Sequence, residues 1–299
     1  MSTFLGKFPT VWKIYFPLKS AFEYVMIKKT KNIKGKEIYM AFLEFRYFSK
    51  AIRTNVTVNV ILPEKAKNED GVGKREEDFK TLWLLHGLNG NQNSWIENTA
   101  IERYAKAYGL AVVMPCVDRS WYTDTAYGAN YFTFVADELP TVCRSYFKGM
   151  SNKREDNIVA GLSMGGYGAL KIALTYPQRY GYVAALSGAL DITRKGRPYS
   201  LEEWRSIFGF ELKDALELEN TKHDLFYLTR ENKKNALPFP KTYLWCGTED
   251  ALIAINRDYR DLLTGLGIPH LYEESEGTHN WKYWDAKITC ALNYLLAKE

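Results

Sequence analysis

The stretch NIVAGLSMGG, residues 157–166, changes character at its midpoint. Asn157–Gly161 is a run of small and β-branched apolar residues, the pattern of a strand buried on both faces. From Gly165 to Tyr176 the residues favour a helix, and Pro177 stops it. The junction is Gly161-Leu162-Ser163-Met164-Gly165, a G-x-S-x-G sequence between a strand and a helix. A sharp turn there strains the serine backbone and lifts its hydroxyl out of the sheet. Gly161 and Gly165 leave room for the turn to close. The helix that follows aims its N-terminal N–H groups at the same spot, where developing negative charge is favoured. Ser163 is the candidate nucleophile.

Outward from this point the pattern repeats. Before it come the buried runs Thr81–Leu85 and Leu110–Pro115, and after it Tyr182–Ser187, Lys241–Cys246 and His270–Glu274. Helical stretches are expected between them: Asn98–Tyr108 with Asn98 or Thr99 as N-cap, Tyr131–Phe147, Ala254–Leu266 and Trp281–Ala297. Met40–Phe48 and Asn55–Leu62 alternate and read as two antiparallel strands. Buried strands alternating with helices predict a mostly parallel central sheet with helices on both faces. Residues 192–238 break the rhythm, being charged and helical only in patches. They read as a short cap-like insertion at the strands' carboxyl ends.

A serine hydroxyl needs a base to take its proton. The chain has four histidines. In a sheet of this kind with a serine at the strand-to-helix turn, the order along the chain is serine, acid, histidine. His279, after the last strand, fits as base. His270 reads as a strand-end residue, His223 as a surface residue and His86 as one that fixes its own loop. The acid belongs after Lys241–Cys246, where Asp250 is preferred over its exposed neighbour Glu249, while Asp285 reads as a helix charge. An oxyanion needs two backbone N–H donors. Met164, next to the nucleophile, supplies one and Leu88, in the loop after His86, the other.

The remaining composition narrows the field. Apolar residues at 46% and charged residues at 25% give enough material for a core and exclude general disorder. No apolar run is long enough for a membrane span, and the lysine-interrupted N-terminus does not read as a signal peptide. Cys116, Cys143, Cys246 and Cys290 are scattered without C-x-x-C spacing, as in reduced thiols of a cytoplasmic protein rather than a zinc site. The net charge is +5, but residues 1–39 hold eight lysines against Glu23 and Glu37, a net +6. The body is therefore near neutral, which argues against nucleic-acid binding. Three readings of residues 1–39 stand: an over-extended start before Met40, an arm packed through Phe4, Phe8, Trp12, Tyr15 and Phe16, or a basic-aromatic membrane-surface anchor.

From Met40 onward the chain resembles the esterase D-like family of α/β-hydrolases, nearest to bacterial tributyrin or acetyl esterases. The resemblance is carried by LLHGLNGNQNSW (84–95), DRSWYTDTAYGANYFTF (118–134), AGLSMGGYGALKIAL (160–174), LSGALD (186–191), CGTEDAL (246–252) and EGTHNWKYWD (276–285). It implies an α/β-hydrolase fold, a triad of Ser163, Asp250 and His279, oxyanion donors Leu88 and Met164, and no metal or organic cofactor. It also implies that Trp121 and Tyr122 edge the substrate pocket, and that the protein is a homo-oligomer acting on a small ester. The expected chemistry is hydrolysis of short acyl esters. An S-formylglutathione-type thioesterase, an acetyl or feruloyl esterase for plant-wall sugars, and an acyltransferase are the alternatives on the same triad. Two features depart from the family: Gly-Thr-His-Asn in the last loop, and residues 1–39, which have no counterpart.

Overall fold

In the computed structural model the described residues are 39–64, 78–194 and 200–297. The readings of residues 1–39 therefore fall outside them, apart from Tyr39. Eight strands form one sheet: β1 (Met40–Ser49), β2 (Thr54–Pro63), β3 (Thr81–Leu85), β4 (Ala111–Met114), β5 (Asn157–Leu162), β6 (Tyr182–Leu186), β7 (Lys241–Gly247) and β8 (His270–Ser275). Their order is β1-β2-β4-β3-β5-β6-β7-β8. The β1–β2 and β2–β4 pairs are antiparallel, and every later pair is parallel. The runs TLWLL, AVVM and NIVAGL are buried throughout, as central parallel strands covered on both faces must be. This is the α/β-hydrolase fold.

Period-two alternation sends successive side chains to opposite faces and so into two cores. Leu82, Leu84, Val112 and Ile158 join one, with Trp95, Ile101, Trp284 and Ile288. The helices on that side are α1 (Ser94–Asn98), α2 (Ile101–Tyr108) and α9 (Trp281–Leu296). Trp83, Leu85, Val113 and Val159 join the other, with Leu139, Tyr167, Ile172 and Tyr259. There the cover is a helical run from Tyr131 to Tyr146, with α5 (Met164–Thr175) and α8 (Ile253–Gly265).

Two helices differ from expectation. The helix expected over 98–108 begins at Ile101, and a separate short helix, Ser94–Asn98, precedes it across Thr99–Ala100. The Thr99 hydroxyl accepts from Ile101 N–H, and Asp285 of the distant α9 accepts from Ala100 N–H. Asp285 is thus more than a helix charge: it joins α2 to α9, also accepting from Tyr104 Oη. The run expected over 131–147 is α3 (Tyr131–Thr133) and α4 (Leu139–Tyr146) joined by a π turn over Phe134–Glu138. The π turn carries Glu138, whose carboxylate accepts from Ser49 Oγ and from the Lys50 and Ala51 N–H groups at the β1–β2 turn.

The described part of insertion 192–238 contains α6 (Leu201–Phe208), a short 3₁₀ turn (Ala215–Leu218) and α7 (Leu225–Lys234). Ser200 and Asp224 cap the two helices with their side chains. Trp204 and Leu225 join the core on the α5 side. No helix among the described residues is long and apolar enough to cross a membrane.

Candidate active site

β5 and α5 meet at Ser163, whose backbone has φ 53° and ψ −120°. A non-glycine residue at positive φ is strained and persists only where its surroundings hold it. Here Ser163 N–H donates to Leu186 O and Ser163 O accepts from Ala189 N–H, both at 3.0 Å. Packing requires the two glycines. A Cβ on Gly161 would lie 2.3 Å from Gly165 O, and one on Gly165 would lie 2.5 Å from Leu85 O and 2.6 Å from His86 O. A side chain at Gly165 would push the turn off the end of β3, and one at Gly161 would force the turn itself open at Gly165.

The loops after β7 and β8 bring the other two groups. Glu249 N–H donates to Gly277 O at 3.0 Å and Thr248 N–H to Ser275 O at 2.9 Å, so the two loops are tied together. His279 Nε2 lies 3.0 Å from Ser163 Oγ and its Nδ1 lies 2.8 Å from Asp250 Oδ2. Asp250 is buried, whereas Glu249 is exposed. Burial alone would raise the Asp250 carboxyl. Hydrogen bonds and charge from His279, the Leu252 N–H and the Ser187 hydroxyl outweigh it and hold the carboxyl below its ordinary value. An ionised Asp250 keeps the imidazole proton on Nδ1 and leaves Nε2 free to accept from serine. Nδ1 of His270 faces Ile268 O at 2.8 Å, at the start of β8.

Ser187 is a participant that sequence reasoning missed. It is fully buried at φ 46° and receives Trp284 Nε1–H at 3.1 Å, and its hydroxyl helps to hold the Asp250 carboxyl below its ordinary value. Trp284 also sets the edge of its ring against His279, with centroids 4.8 Å apart. The only trace of this in the sequence is the stretch LSGALD, which carries no local signal for a second hydroxyl in the site.

His86 fixes its own loop. Its Nε2 accepts from Val117 N–H at 3.0 Å, so Nδ1 carries the proton and donates to Gly87 O at 2.7 Å. Burial holds its imidazole below the ordinary value. The next residues, Gly87 and Leu88, line a cavity of about 730 Å³ together with Ser163, Asp250, Leu252, His279 and Trp281. Among the described residues neither Leu88 N–H nor Met164 N–H donates to another backbone carbonyl. Met164 opens α5, where N–H groups have no partner within the helix.

Trp121 and Tyr122 do not edge this cavity. Both are fully buried, at φ 54° and 48°. These left-handed residues fold their loop back on itself, with Ser120 N–H donating to Val117 O and Thr123 N–H to Ser120 O. The rings go inward: Trp121 packs on Tyr167 and Trp204, and Tyr122 Oη donates to His86 O at 2.9 Å. They support the loop from below.

His223 is also not a surface residue. Its Nδ1 lies 3.3 Å from Nζ of Lys171, which donates to Tyr122 O and Thr123 Oγ1. Burial, with the Lys171 and Lys222 charges, pushes the His223 imidazole down to about 2. Burial, with the Lys222 charge, pushes the Lys171 ammonium down to about 7 against the pull of Asp124. An unfolded lysine holds its proton up to about 10.4. Between these values the unfolded chain binds more protons than the folded one, so stability rises with pH. Between pH 7 and 9 the wild type should gain about 2 kcal/mol relative to Lys171→Met, read from urea midpoints. An equal response in both proteins would show that Lys171 is charged in the folded state.

The family model described as "Putative esterase" matches residues 49–295. The chain belongs to this esterase family. An acetyl esterase of Caldicellulosiruptor saccharolyticus is 35% identical over 266 residues, covering 86% of this chain and 98% of that protein. A substrate-bound fluorophosphonate-binding serine hydrolase of Staphylococcus aureus has a TM-score of 0.78 at 33% identity, covering 87% of this chain and 99% of the other. An S-formylglutathione hydrolase of the same organism has a TM-score of 0.77 at 33% identity, covering 87% and 100%. The esterase described here is a serine carboxylesterase, a carboxylic-ester hydrolase on the α/β-hydrolase fold.

Proposed function

We propose that this esterase hydrolyses short-chain acyl esters, acetyl to butyryl, with Ser163 as nucleophile, His279 as general base and Asp250 as the acid that orients it. The observation that carries the reading is His279, bonded on one side to Ser163 Oγ and on the other to Asp250. Ser163 Oγ attacks the acyl carbonyl as its proton passes to His279 Nε2. The Leu88 and Met164 N–H groups hold the oxyanion. His279 then gives its proton to the departing alcohol, leaving the acyl group on Ser163. Water, deprotonated by His279, releases the acid. The His279 side chain is 37% exposed, which leaves the site open to water and supports hydrolysis.

Short acyl groups are supported by the acetyl esterase relative. A panel of p-nitrophenyl esters tests this: kcat/KM should be highest from acetate to butyrate. Faster cleavage of octanoate would reject the chain-length assignment. A thioesterase reading is favoured by one finding, the 33% identity to a solved S-formylglutathione hydrolase. A kcat/KM on S-formylglutathione well above that on acetate esters would select it. A cytoplasmic setting belongs to the same proposal, supported by four unpaired thiols. So does a homo-oligomeric state, supported by exposed aromatic residues at one edge of the sheet.

A further inference from the structure

We propose that the outer edge of β1 pairs with the same edge of a second copy, antiparallel, about a two-fold axis at Phe45. This rests on the homo-oligomeric reading and adds to it the surface and the register.

β1 ends the sheet, and among the described residues its one strand partner is β2. Ten residues run without proline or bulge, in unbroken register from Met40↔Pro63 to Ser49↔Thr54. A long unbroken edge of this kind is a template for another strand. Proteins that keep such an edge free protect it with charges, proline or a bulge. Here one pair of opposite charges, Glu44 and Arg46, is flanked by large exposed apolar side chains: Phe42 is 46% exposed, Phe48 61% and Tyr146 67%. Tyr146 comes from α4 and lies 5.2 Å from the Phe45 ring, on the other face of the strand from Phe42 and Phe48.

The order of residues fixes the occupant. Phe42-Leu43-Glu44-Phe45-Arg46-Tyr47-Phe48 is symmetric in character about Phe45, with opposite charges at equal distances from it. Phe42, Glu44, Arg46 and Phe48 share one face. The Glu44 and Arg46 side chains are 52% and 69% exposed, and within one chain they already form a pair at 3.2 Å. In a two-fold antiparallel pairing centred on Phe45, Glu44 stands opposite the second copy's arginine at 46. Phe42 stands opposite its phenylalanine at 48. Each pair occurs twice, as an isologous interface requires. On the other face Phe45 meets its own copy, with a Tyr146 on either side. Moving the centre by one residue sets Glu44 against Glu44 or Arg46 against Arg46, which repel. The sequence therefore selects one register, and the partner it fits is this chain itself.

The test is sedimentation equilibrium of the full chain. The wild type should be a dimer of 34.5 kDa chains or a multiple of it. Glu44→Arg and Arg46→Glu each place like charges opposite one another twice, and each should weaken association by about tenfold or more. Mixing the two variants in equal amounts should restore wild-type association, because each supplies the charge the other lacks. The double variant should restore it alone. Failure of either rescue overturns the register. An oligomer indifferent to all the substitutions overturns the edge but leaves the oligomeric reading. A wild type that stays monomeric overturns both. Ester hydrolysis by the same samples separates these outcomes from failure of the catalytic reading, since neither residue belongs to the Ser163 cavity.

Discussion

Replacing Ser163 with alanine is expected to lower kcat by about four to six orders of magnitude, leaving only what binding and the oxyanion donors provide. The fold should survive. Alanine keeps the Cβ, and the bonds that hold the turn run through the backbone of Leu186 and Ala189. Circular dichroism and urea midpoints close to wild type would show that the loss is chemical. A fluorophosphonate probe should attach to the peptide containing Ser163 and to nothing in the variant. Retention of more than a tenth of wild-type kcat in pure protein would remove Ser163 from its assigned role.

His279→Ala should cost nearly as much, and Asp250→Asn about two orders of magnitude less. The difference follows from their positions. In the proposed mechanism His279 exchanges a proton with Ser163, 3.0 Å away, whereas Asp250 holds the imidazole in place from a buried site. An asparagine there offers an amide that favours the wrong tautomer. Because the three groups act as a unit, the Asp250→Asn/His279→Ala double variant should be no slower than His279→Ala. A fully active Asp250→Asn beside an inactive Glu249→Gln would move the acid by one residue. Asp250 also contributes to stability. Its folded value lies below the unfolded one, so the contribution is complete above the ordinary carboxylate value. It is lost as pH falls through the folded value, and Asp250→Asn should lack that component of acid unfolding.

The nucleophile turn was legible because its causes are local. A strand, a tight turn and a helix start within a few residues, and the glycines are dictated by backbone contacts of their own. Chain order then reduced the choice of histidine to His279. Asp250 and Glu249 follow the same strand, so chain order cannot separate them; the structure buries Asp250 with its Oδ2 2.8 Å from His279 Nδ1 and leaves Glu249 exposed. Trp121, Tyr122, His223 and Ser187 were not legible. An aromatic loop residue looks the same in sequence whether its ring faces a cavity or the core. Here positive φ at Trp121 and Tyr122, together with Trp204 from the insertion, turns the rings inward. His223 is engaged by Lys171, 52 positions away, and Ser187 by Trp284, 97 positions away. Neither pairing leaves a periodic or compositional trace.

Ser163 and His279 are 116 positions apart, and Trp284, which braces Ser187, lies beyond both. Contacts of such long span are the last to be rewarded as a chain collapses. During synthesis, β5 and its elbow can form while the base is still inside the ribosome. On the proposed mechanism a partly made chain would present Ser163 without its base. Hydrolysis by that route requires β8 and α9 to have docked, so regained activity should report completion of the whole sheet rather than of any one strand–helix unit.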